Sequence, residues 1–298
     1  MAEKKEKILL ALDASDYSFE IAKYISEIPY FKKNDVVLFS VFHKVPESYY
    51  DLENDPLYGK RIRNIEAWEL QNRTSLEEYM KRAEKILLDS GFPRDNVIVK
   101  IHERKIGIAR DILKEAKAGY SAVAVGRKGM SKVAGIVLGS VATKLLEQLI
   151  FVPLIVVGKD TGPGKILIAI DGSEGATRAV DYVASTLGGS AFEVKLVHVI
   201  RSGAEDYMKD ARKEIEHVFD RTKNRLKKSG FQSNQIKSKI ITGVRSRAEA
   251  IVEEARSGNY GTIVVGRRGL SKVREFFMGR ISNKIIQLAK ENVVWIVN

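Results

Sequence analysis

The chain has 298 residues, 44% of them hydrophobic and 30% charged, with a net charge of +12 and no cysteine. That length and balance fit two ordinary globular domains; disulfides, thiolate metal sites and cysteine nucleophiles are excluded. No apolar run reaches the ~18–20 residues of a membrane helix, and the charged start lacks the pattern of a signal peptide, so a cytoplasmic location is expected.

In chain order, short apolar runs alternate with longer amphipathic ones. Strands are predicted over 7–12, 36–42, 97–102, 121–125 and 153–157, and again over 165–170, 193–200, 237–242, 261–265 and 293–297. Apolar spacing near 3.6 predicts helices over 76–88, 108–116 and 141–149, then over 205–228, 247–256 and 281–289. Continuous apolar strands suit burial on both faces, and the alternation implies βαβ units with a parallel sheet covered by helices.

The two series are one series repeated. Lys7-Ile8-Leu9-Leu10-Ala11-Leu12-Asp13 returns 158 residues later as Lys165-Ile166-Leu167-Ile168-Ala169-Ile170-Asp171. Val125-Gly126-Arg127-Lys128-Gly129 returns 140 residues later as Val265-Gly266-Arg267-Arg268-Gly269, so the first copy is 18 residues longer, mainly around 44–66. Thr161-Gly162-Pro163-Gly164 separates the copies, which places domains at 1–160 and 165–298. The charge is uneven: residues 1–160 carry a balance of +3 and residues 161–298 a balance of +9, a field that favours anionic ligands or partners.

Open α/β sheets bind ligands beyond the carboxyl ends of their strands. Asp13 and Asp171 follow the first strand of each copy. A carboxylate there serves as a metal or ribose ligand, or as a turn and capping residue. After the fourth strand comes Gly126-Arg127-Lys128-Gly129, and ten residues after Gly129 come Gly139-Ser140, at the start of a predicted helix. Glycines admit close backbone approach, and amides at a helix N-terminus hold phosphate. Arg127, Lys128 and Lys132 either add positive charge to that site or form a solvated basic loop. The spacing is neither the dinucleotide fingerprint nor a P-loop. The four histidines show no metal-ligand spacing, and no Ser-His-Asp arrangement is visible.

The spacing Gly126, Gly129, Gly139-Ser140 resembles G-x2-G-x9-G-[ST] of the nucleotide-binding members of the universal stress protein family. The resemblance extends over nearly the whole chain, once per copy. It implies two open parallel sheets of the adenine nucleotide alpha hydrolase type, strand order 3-2-1-4-5, packed as a pseudo-dimer through their last strands. It places Asp13 near ribose or the metal-phosphate group, making it the metal candidate for Mg²⁺. It places Val41 near adenine, Gly126 and Gly129 along the nucleotide, and Gly139, Ser140 and Val141 at the phosphates. The implied ligand is ATP, AMP or ADP.

The second copy keeps Asp171, Val199, Gly266, Gly269 and Gly279, but Arg280 stands where Ser or Thr is expected. A guanidinium there clamps a phosphate or fills the pocket. Arg267, Arg268, Lys272 and Arg274 make this the most basic stretch of that copy.

The expected function is a nucleotide-responsive stress protein with, at most, slow ATP hydrolysis. An adenylating or α-phosphate-hydrolysing enzyme and a nucleic-acid-binding protein are the alternatives; the chain has no recognised nucleic-acid motif. Pairing of the domains is expected within the chain, and a homodimer of chains is compatible with it. The extra segment of copy one, with Tyr49, Tyr50, Tyr58, Arg61 and Arg63, emerges at the ligand end of the sheet. It is either a lid over the adenine side or a surface excursion. If it is a lid, deleting 46–64 weakens ATP binding measured by calorimetry; unchanged affinity removes that role.

Overall fold

The computed structural model describes residues 5–44, 59–129, 137–159, 164–201, 205–269 and 278–298, with backbone only at 16–17, 59–66 and 205–211. The expected Thr161-Gly162-Pro163 linker, Tyr49, Tyr50, Lys132, Lys272 and Arg274 lie outside this description, as does Tyr58; for Arg61 and Arg63 only the backbone is described.

The first half runs β1 (Lys7–Ala11), α1 (Asp16–Ser26), α2 (Pro29–Lys32), β2 (Asp35–Phe42), α3 (Gly59–Asp89), β3 (Val97–Glu103), α4 (Ile108–Ala116), β4 (Ala122–Gly126), α5 (Ser140–Gln148) and β5 (Leu154–Val157). The second runs β6 (Lys165–Ala169), α6 (Glu174–Leu187), β7 (Glu193–Arg201), α7 (Glu205–Lys228), β8 (Ile236–Val244), α8 (Arg247–Ser257), β9 (Thr262–Gly266), α9 (Arg280–Leu288) and β10 (Val293–Val297). One ten-stranded sheet results, in the order β3-β2-β1-β4-β5-β10-β9-β6-β7-β8. Each half therefore has the order 3-2-1-4-5. Pairing is parallel inside each half and antiparallel where β5 meets β10, with Trp295 opposite Ile155.

The apolar strands are continuous because both faces are covered. Ile8 and Leu10 point into a core with α1 and α3, while Leu9 and Ala11 point into the opposite core with α4 and α5. Among the described residues no helix is long and apolar enough to cross a membrane.

Two differences from the sequence reading are instructive. Helices α1 and α6, after the first strand of each half, lie outside the predicted set. In α6, EGATRAVDYVASTL, the buried Ala176, Ala179, Val180, Val183, Ala184 and Leu187 hold a regular helical stripe, so the signal was present in the sequence. Helix α3 spans 31 residues and begins 17 residues before the predicted start at Leu76. Its apolar periodicity begins at Leu76 because that is where the helix meets the core; farther back, Trp68 and Leu70 are more than half exposed.

The seam between the halves is buried. Trp295 is fully buried, with Tyr182 edge-on at 5.5 Å. The Tyr24 hydroxyl on α1 lies 2.8 Å from Thr262 Oγ1 on β9, and burial raises the Tyr24 pKa well above its usual value. The arginines that follow Gly126 and Gly266 reach across the seam. Arg127 Nη1 donates to the Ile286 carbonyl in the last turn of α9 at 2.6 Å. Arg267 donates to Leu146 O and Leu149 O at the end of α5, both at 2.6 Å, and to Asn298 Oδ1. These carbonyls lack intrahelical partners, and a cation suits that end of the helix dipole. Burial lowers both guanidinium pKa values to about 10, which leaves them charged near neutrality.

The two clasps are unequal. The residue corresponding to Asn298 is Gly158, where a Cβ would lie 2.1 Å from the Glu291 carbonyl oxygen. No side chain fits there, and Nε and Nη2 of Arg127 are buried without a hydrogen-bond partner. Loss of several charge-assisted bonds from one buried group leaves its acceptors unsatisfied. Arg267→Ala is expected to cost about 3 kcal/mol and Arg127→Ala roughly half as much, read as shifts in the urea midpoint of the full chain.

Candidate functional site

Strands β1 and β4 are neighbours, so their carboxyl ends bring Asp13 and the glycine loop together. The turn after β1 orients the carboxylate. Asp13 Oδ1 accepts hydrogen bonds from the Ser15 hydroxyl and the Ser18 hydroxyl, each at 2.6 Å, and from the Ser15 amide at 3.2 Å. Oδ2 is directed at the loop: a Cβ placed on Gly129 would sit 2.3 Å from it. A side chain at 129 would therefore have to displace the carboxylate, which its bonds to Ser15 and Ser18 resist. Ala14, next to Asp13, holds the left-handed conformation with φ of 60°, where the second half has Gly172 at 79°.

The loop closes on itself. The Gly139 amide donates to Arg127 O at 2.8 Å, which seats the start of α5 beside Lys128 and Gly129. Gly139 is the N-cap of α5 and provides no side-chain cap. The amides of Ser140 and Val141 open the first turn, where a helix has no carbonyl of its own to offer and an anion can be accepted. Ser140 is exposed, and Val141 is half-buried on the α5 side of the core. Gly126 ends β4 opposite Val157. Val41, near the end of β2, is half-buried opposite His102 of β3.

The second half repeats this frame. A Cβ on Gly269 would lie 2.4 Å from Asp171 Oδ2, and the Gly279 amide donates to Arg267 O at 2.8 Å. Gly266 is tighter still: a Cβ there would lie 2.4 Å from the Gly175 carbonyl carbon. Asp171 keeps the amide bond from Ser173 at 3.0 Å, but the position of Ser18 is taken by Ala176. Ser173 Oγ instead accepts from the Ala176 amide as the cap of α6. Arg280 is exposed at the first position of α9, and Val199 is buried near the end of β7.

The structure brings Asp13, Gly126, Gly129 and Gly139-Ser140 to one mouth, with Val41 on the neighbouring strand, and it does the same for their counterparts. The side chain of Arg127 goes elsewhere. Its expected positive charge at the glycine loop is spent on the seam, and so is that of Arg267; these two residues offer the loops backbone only. Among the described residues there is no group of three or more potential metal ligands.

Two features of the loops that follow the strands, one at the mouth and one after the edge strand β3, lie outside the sequence reading. Ser15 and Ser18 fix Asp13, and the spacing D-x-S-x-x-S before a helix is a usable signal for such a clamp. Asp111, at the start of α4, is buried and accepts from the amides of Lys105, Ile106 and Gly107, tying down the loop after β3. Burial pushes its pKa up, but those amides outweigh it and hold the carboxyl below its usual range.

A sequence model described as the universal stress protein family matches this chain twice, over residues 5–158 and 163–296. The chain belongs to the universal stress protein family. Universal stress protein YxiE of Bacillus subtilis is 28% identical over 137 residues, covering 42% of this chain and 93% of that protein. A universal stress protein structure from Archaeoglobus fulgidus is similar over 98% of both chains, with a TM-score of 0.66 and 21% identity. A structure from Pseudomonas aeruginosa, described as a putative universal stress protein, covers 98% of this chain and 93% of its own, with a TM-score of 0.60 and 14% identity. The latter two establish the fold of this universal stress protein across both halves.

One titratable group in the second mouth separates the halves. Ser40 Oγ donates to the Leu12 carbonyl at 2.8 Å, and at the matching place His198 Nδ1 lies 2.6 Å from the Ile170 carbonyl. A carbonyl only accepts, so Nδ1 carries the proton. Burial lowers the His198 pKa, outweighing the opposite pulls of that carbonyl and of Asp171. With the folded pKa below the unfolded one, stability is full above about pH 6.5 and declines as pH falls through that value toward the folded pKa. The melting temperature should therefore drop between about pH 7.5 and 5.5, and His198→Ser, which restores the arrangement of Ser40, should flatten that part of the profile.

Proposed function

We propose that this universal stress protein binds adenine nucleotides, ATP foremost, at the mouth formed by Asp13, Gly126, Gly129 and Gly139-Ser140, and acts as a nucleotide-responsive regulatory or protective module. The observation that carries this reading is the close opposition of Asp13 Oδ2 and Gly129, where any side chain would displace the carboxylate, beside a helix start whose N-cap is a glycine. A carboxylate and free amides side by side suit a ligand with both hydroxyls and phosphates: the carboxylate accepts from ribose or assists a phosphate-bound cation, and the amides take the anion. Val41 would flank the base. Mg²⁺ arriving with the nucleotide would draw most of its ligands from phosphates and water, and Asp13 would add one carboxylate; when bound it neutralises phosphate charge.

The second mouth has the same frame with Arg280 in place of a small hydroxyl residue. The first half alone keeps the Gly139-Ser140 pair, so it is assigned as the principal nucleotide site. The reading is of binding rather than turnover.

Calorimetric titration of the full chain with ATP and Mg²⁺ tests this. One site is expected, lost in Gly129→Val, where the new side chain displaces Asp13, and retained in Gly269→Val. Two sites would show that Arg280 is tolerated and that both mouths bind. Absence of saturation with ATP, ADP and AMP would overturn the nucleotide reading while leaving the family and the fold in place.

A further inference from the structure

The two halves differ most between their first two long helices. In the first half the space between α1 and α3 is filled. Phe19 packs on Tyr79 with ring centroids 4.2 Å apart, and the Arg82 guanidinium lies 4.7 Å from the Phe19 centroid. Tyr79 also donates from its hydroxyl to Ser15 O at 3.2 Å. In the repeat, Asp13 corresponds to Asp171, and Ser90-Gly91-Phe92 after α3 to Ser229-Gly230-Phe231 after α7. Phe19 is thereby replaced by Thr177, Tyr79 by Val218 and Ile86 by Arg225, while Arg82 persists as Arg221.

Removing two aromatic rings opens a cleft of about 480 Å³ between α6 and α7, inside the roughly 300–1,000 Å³ range of small-molecule sites. Val180 and Val218 are among its apolar lining; Thr177 and Thr222 supply hydroxyls; Arg221, Arg225 and Lys228 supply cations. These three recur at intervals of four and three residues, so one face of α7 presents all of them. Asp181 pairs with Arg225 at 2.9 Å, and neither Arg221 nor Lys228 has an ion-pair partner among the described residues. Ile170 and Gly172, on either side of Asp171, line one end of the cleft, but none of Gly266, Gly269, Gly279 and Arg280 does, so it opens away from the glycine loop.

We propose that this cleft is a second ligand site, specific to the second half, for an amphiphilic organic anion: one acidic head on a short apolar body. The apolar lining takes the body, and Arg221 and Lys228 take the head. The aromatic pair that closes the equivalent space in the first half shows that the fold does not need the opening. The inference stands apart from the nucleotide reading, since it uses none of the residues assigned to ATP.

The test uses the full chain and anilinonaphthalene sulfonate, whose fluorescence rises on burial, with decanoate as a non-fluorescent competitor. One saturable site displaced by decanoate is expected. The double variant Thr177→Phe/Val218→Tyr, which copies the first half, should weaken binding by at least about tenfold, and Arg221→Ala/Lys228→Ala by about fivefold with a reduced salt dependence. Thr177 is exposed at the mouth of the cleft. Thr177→Trp alone therefore provides a plug that leaves the core intact if the double variant does not fold. Fluorescence that does not saturate, that decanoate fails to displace, or that is unchanged by the Trp plug would overturn the assignment.

Discussion

The rest of this structure depends on the antiparallel pairing of β5 with β10. A parallel sheet of order 3-2-1-4-5 leaves its fifth strand as an edge, and Val293-Val294-Trp295-Ile296-Val297 would be an open, almost wholly apolar one. Joining the two edges satisfies the backbone of both strands, buries Trp295 and makes a continuous ten-stranded sheet. Everything at the ligand end follows from this. The residue after each first loop glycine is free to turn away from the ligand side because the seam gives it helix-end carbonyls to bond. Each glycine loop is therefore anchored in the opposite half of the molecule.

The two mouths show how little side-chain chemistry a site of this type contains. The first brings together one carboxylate, oriented by two serines, and a glycine loop that approaches it closely at Gly129. The rest of that frame is backbone. That economy explains why the second half could retain the frame, with Asp171, Gly269 and Gly279 in matching places, while exchanging the residue that opens the helix. It also explains why side chains alone are a poor guide to what such a mouth holds.

Much of the fold was legible in the sequence because it is written twice. The repeat of KILLALD as KILIAID, and the glycine spacing after each fourth strand, gave the halves, the strand positions and the candidate mouths. Helix α6 carries a regular stripe of alanines and valines that was legible but passed over, whereas the early turns of α3 lie outside the core that gives a helix its periodicity. Residue partners across the chain were not legible. Nothing local tells Arg127 that its acceptor is Ile286, 159 positions away, or that its charge is consumed before it reaches a ligand. Ser15 and Ser18 were overlooked for the opposite reason: serines near a helix start are commonplace, and only their joint approach to Asp13 Oδ1 gives them meaning.

The unequal clasps carry a wider consequence. In an assembly of two identical chains, any substitution is made on both sides of the two-fold axis at once, and both sides must tolerate it. Here the two sides are separate stretches of one polypeptide, and that constraint is lifted. Asn298 can complete the bonding of Arg267 while Gly158 makes room for the Glu291 carbonyl, two solutions that no single sequence could hold at the same position. Fusion thus turned a symmetric surface into two independently variable ones, and each half is able to specialise without forfeiting the partner that covers its edge.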